Sequence, residues 1–230
     1  MSDPVDERPR ATQGVLDLVD YRRRVWEQYR TVRRSEPNEA TWRLWRRARD
    51  ELLRTHPQTP VAPGHRAGFT GMSFFPYDPA WRLEAVLEPR EGRTVDGWQP
   101  VARVAVAGAE LTVFWLTTYG GGLFLPFRDA TNGRETYGGG RYLLDTVKGA
   151  DLGTTAAGAV VLDFNYAYHP SCAHDPVWTC PLPPPENTVH GAVRAGEMLF
   201  AAAAGSEATA TARALERRVG TEPTETPRCD

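Results

Sequence analysis

From residue 56 onward, glycine and proline clusters divide the chain into short segments, and this pattern constrains the fold most. The segments are rich in β-branched and aromatic residues and lie near 68–76, 81–89, 100–107, 110–118, 122–128, 142–147, 158–166 and 189–195. Short segments with such spacing predict antiparallel strands. No helical pattern of 10–15 residues separates them, which argues against a doubly wound α/β sheet. We therefore expect a mainly antiparallel β-barrel-like or rolled sheet.

Two amphipathic helices are predicted ahead of the strands. Apolar residues recur at helical spacing from Val15 to Val32 and again from Trp42 to Leu52, with Asn38 as the expected N-cap of a helix over 39–55. The predicted fold class is α+β, with two N-terminal helices followed by the sheet. We divide the chain into a disordered N-terminus (1–13), a helical segment (14–55), a β-rich domain (56–200) and an Ala-rich segment with a loose tail (201–230). A final helix over 200–215 is also predicted.

The charge balance argues against nucleic acid and membrane as partners. Lysine and arginine number 27 and the acidic residues 29, so a formal net charge of −2 creates no field toward either surface. No run of 18 apolar residues occurs, and residues 1–7 are acidic without the apolar core of a secretory signal. We therefore expect a cytoplasmic protein, and the sequence leaves its oligomeric state open.

Arginine is concentrated in the two predicted helices. One interpretation is a surface for an acidic partner, and the other is a solvated face around two apolar stripes. Acidic residues such as Glu27, Glu39, Asp50 and Glu51 alternate with the arginines, which favours the solvated face.

Polar and ionisable side chains are concentrated between residues 128 and 187, in two blocks. The first block follows an apolar strand and contains Asn132-Gly133, a strong hairpin signal. Its candidate binding residues are Arg128, Asp129, Thr131, Tyr137, Arg141 and Tyr142, and its candidate catalytic residue is Glu135. A tight hairpin needs Asn-Gly but not this many hydrogen-bonding groups, so the block predicts a site.

The second block follows a buried strand at 160–162. Its candidate catalytic residues are Asp163 and His169, and its candidate binding residues are Asn165, Tyr168, Glu186 and Asn187. Asp163 and Asn165 are expected on one face of the strand because they alternate along it. Arg128 and Arg141 are the expected partners of the carboxylate, since a guanidinium binds a carboxylate through two hydrogen bonds. We expect both blocks to line one pocket.

The second block could also form a metal site. His169, Cys172, His174 and Cys180 are spaced H-x2-C-x-H-x5-C, and imidazole with thiolate suits zinc. The spacing matches no standard zinc-finger or ribbon pattern. Cys172 and Cys180 could instead form a disulfide, which a reducing cytosol disfavours, or remain reduced in a proline-rich loop. Zinc is therefore one candidate cofactor, and all three interpretations stay open.

Long strings in both blocks resemble a known family. They are FLPFRDATNGRETYGGGRYLLDTVKGADLG and LDFNYAYHPSCAHDPVWTCPLPPPENTVHGAVRAGE, preceded by RTHPQ and FTGMSFFPYDPAWR. Together these strings, over roughly residues 40–200, resemble the domain of unknown function 1684 family. The resemblance implies a compact β-rich fold and a soluble bacterial protein, and it implies no reaction. Members of that family often have Tyr at the position of His174, so the resemblance does not support a metal role for this residue.

Three functional hypotheses follow. The first is an enzyme, hydrolytic or isomerising, that acts on a small anionic molecule. Asp163, His169 and Glu135 would transfer protons, and Arg128 and Arg141 would anchor the anionic group. The second is a non-catalytic module that binds or senses a small molecule in the same pocket. The third is a partner-binding protein that uses the arginine-rich helices. The sequence does not decide whether the protein is an enzyme.

Overall fold

The computed structural model describes residues 8–199. The predictions for residues 1–7 and 200–230, including the final helix over 200–215, lie outside the described residues. The chain begins with the helices α1 (Arg8–Arg33), α2 (Glu39–Thr55) and the short α3 (Pro63–Arg66). The bounds of α2 and its N-cap are confirmed, because the side chain of Asn38 accepts a hydrogen bond from the amide of Thr41.

The first helix differs from its prediction in two respects. It includes residues 8–13, whose polar composition predicts disorder. Its apolar stripe is buried in the second half, at Val25, Tyr29 and Val32, whereas Val15 is 64% exposed. Apolar packing against α2 and the sheet is concentrated in the second half of α1, whereas the first half makes polar contacts, such as that of the Gln58 side chain with the Gly14 carbonyl. Within residues 8–199, no helix is long and apolar enough to cross a membrane.

In the described part of the chain, seven strands form two open antiparallel sheets. They are β1 (Arg82–Ala85), β2 (Glu88–Pro89), β3 (Trp98–Val106), β4 (Ala109–Leu116), β5 (Gly122–Phe127), β6 (Arg141–Asp145) and β7 (Val160–Asp163). The larger sheet has the order β2-β3-β4-β5-β6, and β1 pairs with β7 in a second sheet. The predicted α+β class is confirmed, and the larger sheet is open rather than closed into a barrel.

Two predicted strands are wrong, and a third is too long. Residues 68–76 and 189–195 are irregular; the first segment has an isolated bridge from Phe74 to Glu197, and the second is preceded by one from Thr188 to Arg128. The predicted strand over 158–166 ends at Asp163, where a 3-10 turn, Phe164–Tyr166, begins. The side chain of Asp163 accepts a hydrogen bond from the amide of Asn165, which favours a turn over a continued strand.

The buried side chains form two main clusters on either side of the larger sheet. One lies between that sheet and the β1–β7 pair and includes Val104, Leu111, Phe127 and Phe164. The other is aromatic and packs the helices against the sheet. Its members include Tyr29, Trp42, Trp45, Phe124, Tyr142, Tyr166 and Tyr168. The helices therefore cover the strand end where both polar blocks begin.

Asn187 joins β4 to β5 beyond the point where their backbone pairing ends. The pairing covers only Phe114–Leu116 with Gly122–Phe124. Further along, the Asn187 side chain accepts a hydrogen bond from the amide of Thr112 (2.9 Å) and donates to the carbonyls of Thr112 and Pro126 (2.8 Å each). Its amide thus completes the ladder and is not free to bind a ligand.

We expect Asn187→Ala to lower the free energy of unfolding by about 2–4 kcal/mol, because it leaves three buried backbone groups without partners. Chemical denaturation of the purified protein measures this change. The matched control is Glu186→Ala at the exposed neighbouring position, expected to change stability by less than about 0.5 kcal/mol. Equal effects of the two substitutions would contradict the role of Asn187.

Candidate functional site

Two long loops meet at one end of the larger sheet. We call residues 128–140 the β5–β6 loop and residues 167–199 the C-terminal loop. The Arg128 amide donates to the Asn187 carbonyl, and the Val189 amide donates to the Arg128 carbonyl, both at 2.8 Å. At the other side, the Leu199 amide donates to the Glu135 carbonyl at 2.9 Å. The two polar blocks of the sequence are therefore in direct contact.

The β5–β6 loop is not the two-residue hairpin that Asn132-Gly133 predicts. Thirteen residues, 128–140, separate β5 from β6. The Asn132 side chain accepts a hydrogen bond from the Asp129 amide (2.7 Å) and donates to the hydroxyl of Thr136 and the carbonyl of Tyr137 (2.9 Å each). Asn132 therefore organises a compact loop from inside it, while Gly133 supplies a positive φ of 76°.

Asp129 and Arg141 form an ion pair with no solvent exposure at either side chain. Arg141 Nη2 lies 3.2 Å from Asp129 Oδ1 and donates to the Val193 carbonyl at 2.9 Å, while Nη1 donates to the Ala195 carbonyl. Asp129 also accepts from the Val193 amide at 2.7 Å and from the Thr131 hydroxyl at 2.9 Å. Burial lowers the pKa of Arg141, and Asp129 opposes this shift. Because both Nη atoms donate hydrogen bonds within the protein, the contacts favour a structural role for Arg141, which joins the two loops, over binding of an anionic ligand.

Asp163 is engaged away from both predicted arginine partners. Its Oδ1 accepts hydrogen bonds from the Asn165 amide (3.0 Å) and side chain (2.8 Å), and Asn165 in turn binds both backbone groups of Asp78. Burial raises the pKa of Asp163, and these hydrogen bonds with the charge of Arg82 oppose the rise. The predicted pairing of Asp163 with Arg128 or Arg141 is therefore wrong. The cluster shapes the 3-10 turn after β7.

The remaining predicted residues divide between the surface and the interior. Glu135 forms an ion pair with Arg194 at the surface, with 3.0 Å between Oε2 and Nε. Glu186 is exposed. The Tyr142 hydroxyl donates to the Pro181 carbonyl, and the Tyr168 hydroxyl donates to Asp145 at 3.1 Å. These tyrosines pack the loops on the sheet.

A buried carboxylate that the sequence did not indicate lies at the centre of the contact. Glu197 is fully buried, and its Oε2 pairs with Arg49 Nη2 at 2.8 Å. Its Oε1 lies 3.5 Å from His169 Nδ1 and 3.2 Å from His174 Nε2. Burial raises the pKa of Glu197, but Arg49 and the two histidines prevail and lower it well below its usual range. The carboxylate is therefore ionised.

Arg49 could have been found from the sequence, whereas Glu197 could not. Arg49 lies four residues after Trp45 and seven after Trp42, so it falls on the buried stripe of α2. An arginine in such a stripe indicates a buried anionic partner. Glu197 lies in an irregular segment without periodicity, and only the fold brings it to this stripe.

The histidines and the cysteines form separate groups. The ligand atoms of His169, His174 and Glu197 lie within 4.8 Å of one another, and neither cysteine belongs to this group. His169 Nε2 accepts a hydrogen bond from the Tyr137 amide at 3.1 Å, which places the proton of the neutral ring on Nδ1. A metal at Nδ1 would require that proton on Nε2, where metal-bound histidines donate to an acceptor. The group therefore does not fit a metal held by His169, and the four-ligand zinc set is not assembled.

The two cysteines lie together beside Tyr137. Both are reduced and half-buried. The Cys172 amide donates to Cys180 Sγ at 3.3 Å, and the Tyr137 hydroxyl lies 3.7 Å from Cys172 Sγ. Burial and the neighbouring sulfurs raise the pKa of Tyr137, so its hydroxyl keeps its proton. The third cysteine, Cys229, lies outside the described residues.

Arg128, in the β5–β6 loop, carries a positive charge near Tyr137. It has no acidic partner among the described residues. Its Nε is buried and donates to no acceptor among residues 8–199. Its charge lowers the pKa of the nearby Tyr137, against the larger effect of burial. The Nε of Arg141 is likewise without a partner among the described residues, but both Nη atoms of Arg141 donate hydrogen bonds, which leaves Arg128 as the more available guanidinium for an anion.

The arginine-rich helices do not present a uniform positive face. Arg33 pairs with Asp151 and Arg49 with Glu197, and the Arg46 guanidinium stacks 4.8 Å from the Trp42 ring. Several others pair with an acid of their own helix, among them Arg24 with Asp20 and Arg43 with Glu39. These contacts neutralise much of the charge on which the partner-binding hypothesis depends.

We expect Arg141→Met to lower the free energy of unfolding by about 3–5 kcal/mol, because it leaves the Asp129 carboxylate buried without its countercharge. Chemical denaturation measures the change. The control is Glu135→Gln, which breaks an exposed ion pair and is expected to leave the free energy of unfolding nearly unchanged, because solvent screens exposed charges. A folded Arg141→Met protein of unchanged stability would contradict the structural role.

We also expect protein purified under reducing conditions to contain much less than one zinc ion per chain, because His169 donates no proton from Nε2. Elemental analysis together with a protein assay measures the ratio. Zinc near one per chain that is lost in Cys180→Ala would overturn this expectation and restore the four-ligand site.

Comparisons with known proteins place this geometry in a family. The family model described as "Protein of unknown function (DUF1684)" matches residues 67–198. An uncharacterized protein of Haloarcula marismortui, solved by solution NMR, is 32% identical, with a TM-score of 0.50 over 70% of this chain and 93% of that one. No curated protein matches. The matched family segment contains both loops and covers more than half of the chain, so the protein belongs to the DUF1684 family.

Proposed function

We propose that the protein is an enzyme that acts on a small anionic molecule by proton transfer, in a hydrolytic or isomerising reaction. The observation that carries the proposal is the buried Glu197 carboxylate with His174 beside it. Histidine is the commonest proton-transfer group, and a buried carboxylate that orients it is a recurring arrangement.

Glu197 is suited to support a histidine rather than to exchange protons itself. It has no solvent exposure, and Arg49 holds it ionised. His174 Nε2 lies 3.2 Å from Glu197 Oε1 as a charge contact, without the angle of an aligned hydrogen bond. Such contacts commonly align only when substrate is bound. With Nε2 turned toward Glu197, Nδ1 of His174 is the atom that would exchange a proton with the substrate.

The proposal changes the roles expected from the sequence. His169 stays in the site, where burial lowers its pKa and keeps it neutral beside Glu197. The proton-transfer role moves from Asp163 and Glu135 to His174, because the first is engaged by Asn165 and the second by Arg194. The anchoring role stays with Arg128, because both Nη atoms of Arg141 are engaged by Asp129, Val193 and Ala195.

We expect the protein to catalyse exchange of carbon-bound hydrogen for deuterium in one of a panel of small carboxylic acids, or to hydrolyse one of a panel of p-nitrophenyl esters. Proton NMR in D2O and absorbance follow the two reactions. Loss of the transferring imidazole in His174→Gln is expected to reduce the rate by about 10²–10⁴-fold. His190→Gln, at an exposed histidine of the same loop, is the matched control. Equal rates in both variants, or no rate in the wild type, would contradict the proposal.

A non-catalytic binding module is the second candidate, and the unpartnered Arg128 favours it equally. In that case inorganic phosphate or citrate would bind without turnover of any panel compound. Arg128→Ala would abolish the binding, which isothermal titration calorimetry measures. Binding by the wild type with no turnover would select this candidate over the enzyme.

A further inference from the structure

The Cys172–Cys180 pair is a second chemical group of the C-terminal loop that the proposed function does not use. The two cysteines lie eight positions apart along the chain, and the Cys172 amide donates to Cys180 Sγ at 3.3 Å. Both side chains are half-buried, while residues 176–179 between them are exposed. The sulfurs are therefore adjacent and lie next to the surface.

The charges around the pair favour a thiolate at Cys180. The neighbouring Cys172 thiol, the hydrogen bond from the Cys172 amide and the charge of Lys148 lower the pKa of Cys180 to about 6, against the effect of burial. The same contact raises the pKa of Cys172. The Tyr137 hydroxyl, which stays protonated, faces Cys172 from the β5–β6 loop. The pair thus contains one thiolate and one thiol, which is the arrangement of a nucleophilic and a resolving cysteine.

We propose that Cys180 and Cys172 form a reactive dithiol that exchanges with small disulfides and closes into an internal disulfide. The Cys180 thiolate attacks one sulfur of a disulfide RSSR, forms a mixed disulfide and releases RS⁻. Cys172 then attacks Cys180 Sγ, which forms the Cys172–Cys180 bond and releases the second RS⁻. The proton of the Cys172 thiol passes to a released thiolate, so the products are the internal disulfide, RS⁻ and RSH. The disulfide RSSR is the oxidant, and it is reduced to two thiols.

The geometry distinguishes this pair from cysteines that only fill space. A packing cysteine is buried among apolar groups, which raises its pKa and makes it inert. Cys180 instead receives a hydrogen bond from the Cys172 amide and the charge of Lys148 at the loop surface. The proposal does not rest on the proton-transfer function, because it is measured on the sulfurs themselves.

The test uses the full chain with Cys229→Ser, so that only the pair carries thiols. The reduced protein is mixed at neutral pH with glutathione disulfide, and intact-mass spectrometry follows the products. We expect loss of two hydrogens and no lasting glutathione adduct. With Cys172→Ser added, the glutathione adduct on Cys180 should accumulate because no resolving thiol remains. With Cys180→Ser added instead, we expect the adduct on Cys172 to form at least about tenfold more slowly, since a thiol reacts through its thiolate.

Two outcomes would overturn the proposal. One is a Cys229→Ser protein that stays reduced, or that keeps two glutathione adducts without closing the internal disulfide. The other is equal adduct formation in the Cys172→Ser and Cys180→Ser variants. The first readout needs no substitution within the pair, so it stands even where a variant folds poorly. A dithiol that fails to react leaves the deuterium-exchange result unaffected, so failures of the two proposals are distinguishable.

Discussion

The two long loops lack the hydrogen bonds of a sheet, so their buried backbone groups need other partners. The side chains of the buried Asp129–Arg141 pair bind several of these groups. Arg141 begins β6 and reaches the carbonyls of Val193 and Ala195, while Asp129 follows β5 and reaches the Val193 amide. Buried backbone groups without partners are costly. The ion pair therefore determines where the C-terminal loop lies, and everything that this loop carries depends on it.

A second buried ion pair joins that loop to the helices. Glu197, at the end of the C-terminal loop, pairs with Arg49 on α2, and the Glu197 amide donates to the Ala167 carbonyl. The helices thus complete the site as well as cover the sheet. This arrangement explains why the β-rich part and the helical part, which look like separate segments in the sequence, contribute to one group of side chains.

The candidate chemistry lies in two neighbouring groups of side chains, one around the buried Glu197 and one at the half-buried cysteines. Glu197 lies in one group with His169 and His174, while Cys172 and Cys180 lie together beside Tyr137. The Tyr137 amide donates a hydrogen bond to His169 Nε2, so the proton of the neutral imidazole lies on Nδ1. This arrangement argues against a metal bound at Nδ1. Tyr137 contacts both parts and is their common boundary.

The sequence by itself determined the α+β class, the helix over 39–55 with its Asn38 cap, the β strands with clear turn signals and the family, because these depend on local periodicity and on long matching strings. The sequence also located the two polar blocks that contain the candidate site residues. Only the tertiary structure decided what each polar residue does. Arg141 and Asn187 proved to complete hydrogen bonding inside the loops, and Asp163 ends a strand that periodicity would have continued. Glu197 and Arg49 meet across 148 residues. Such partners cannot be read from spacing, because burial and the pairing of distant charges are set by the fold as a whole.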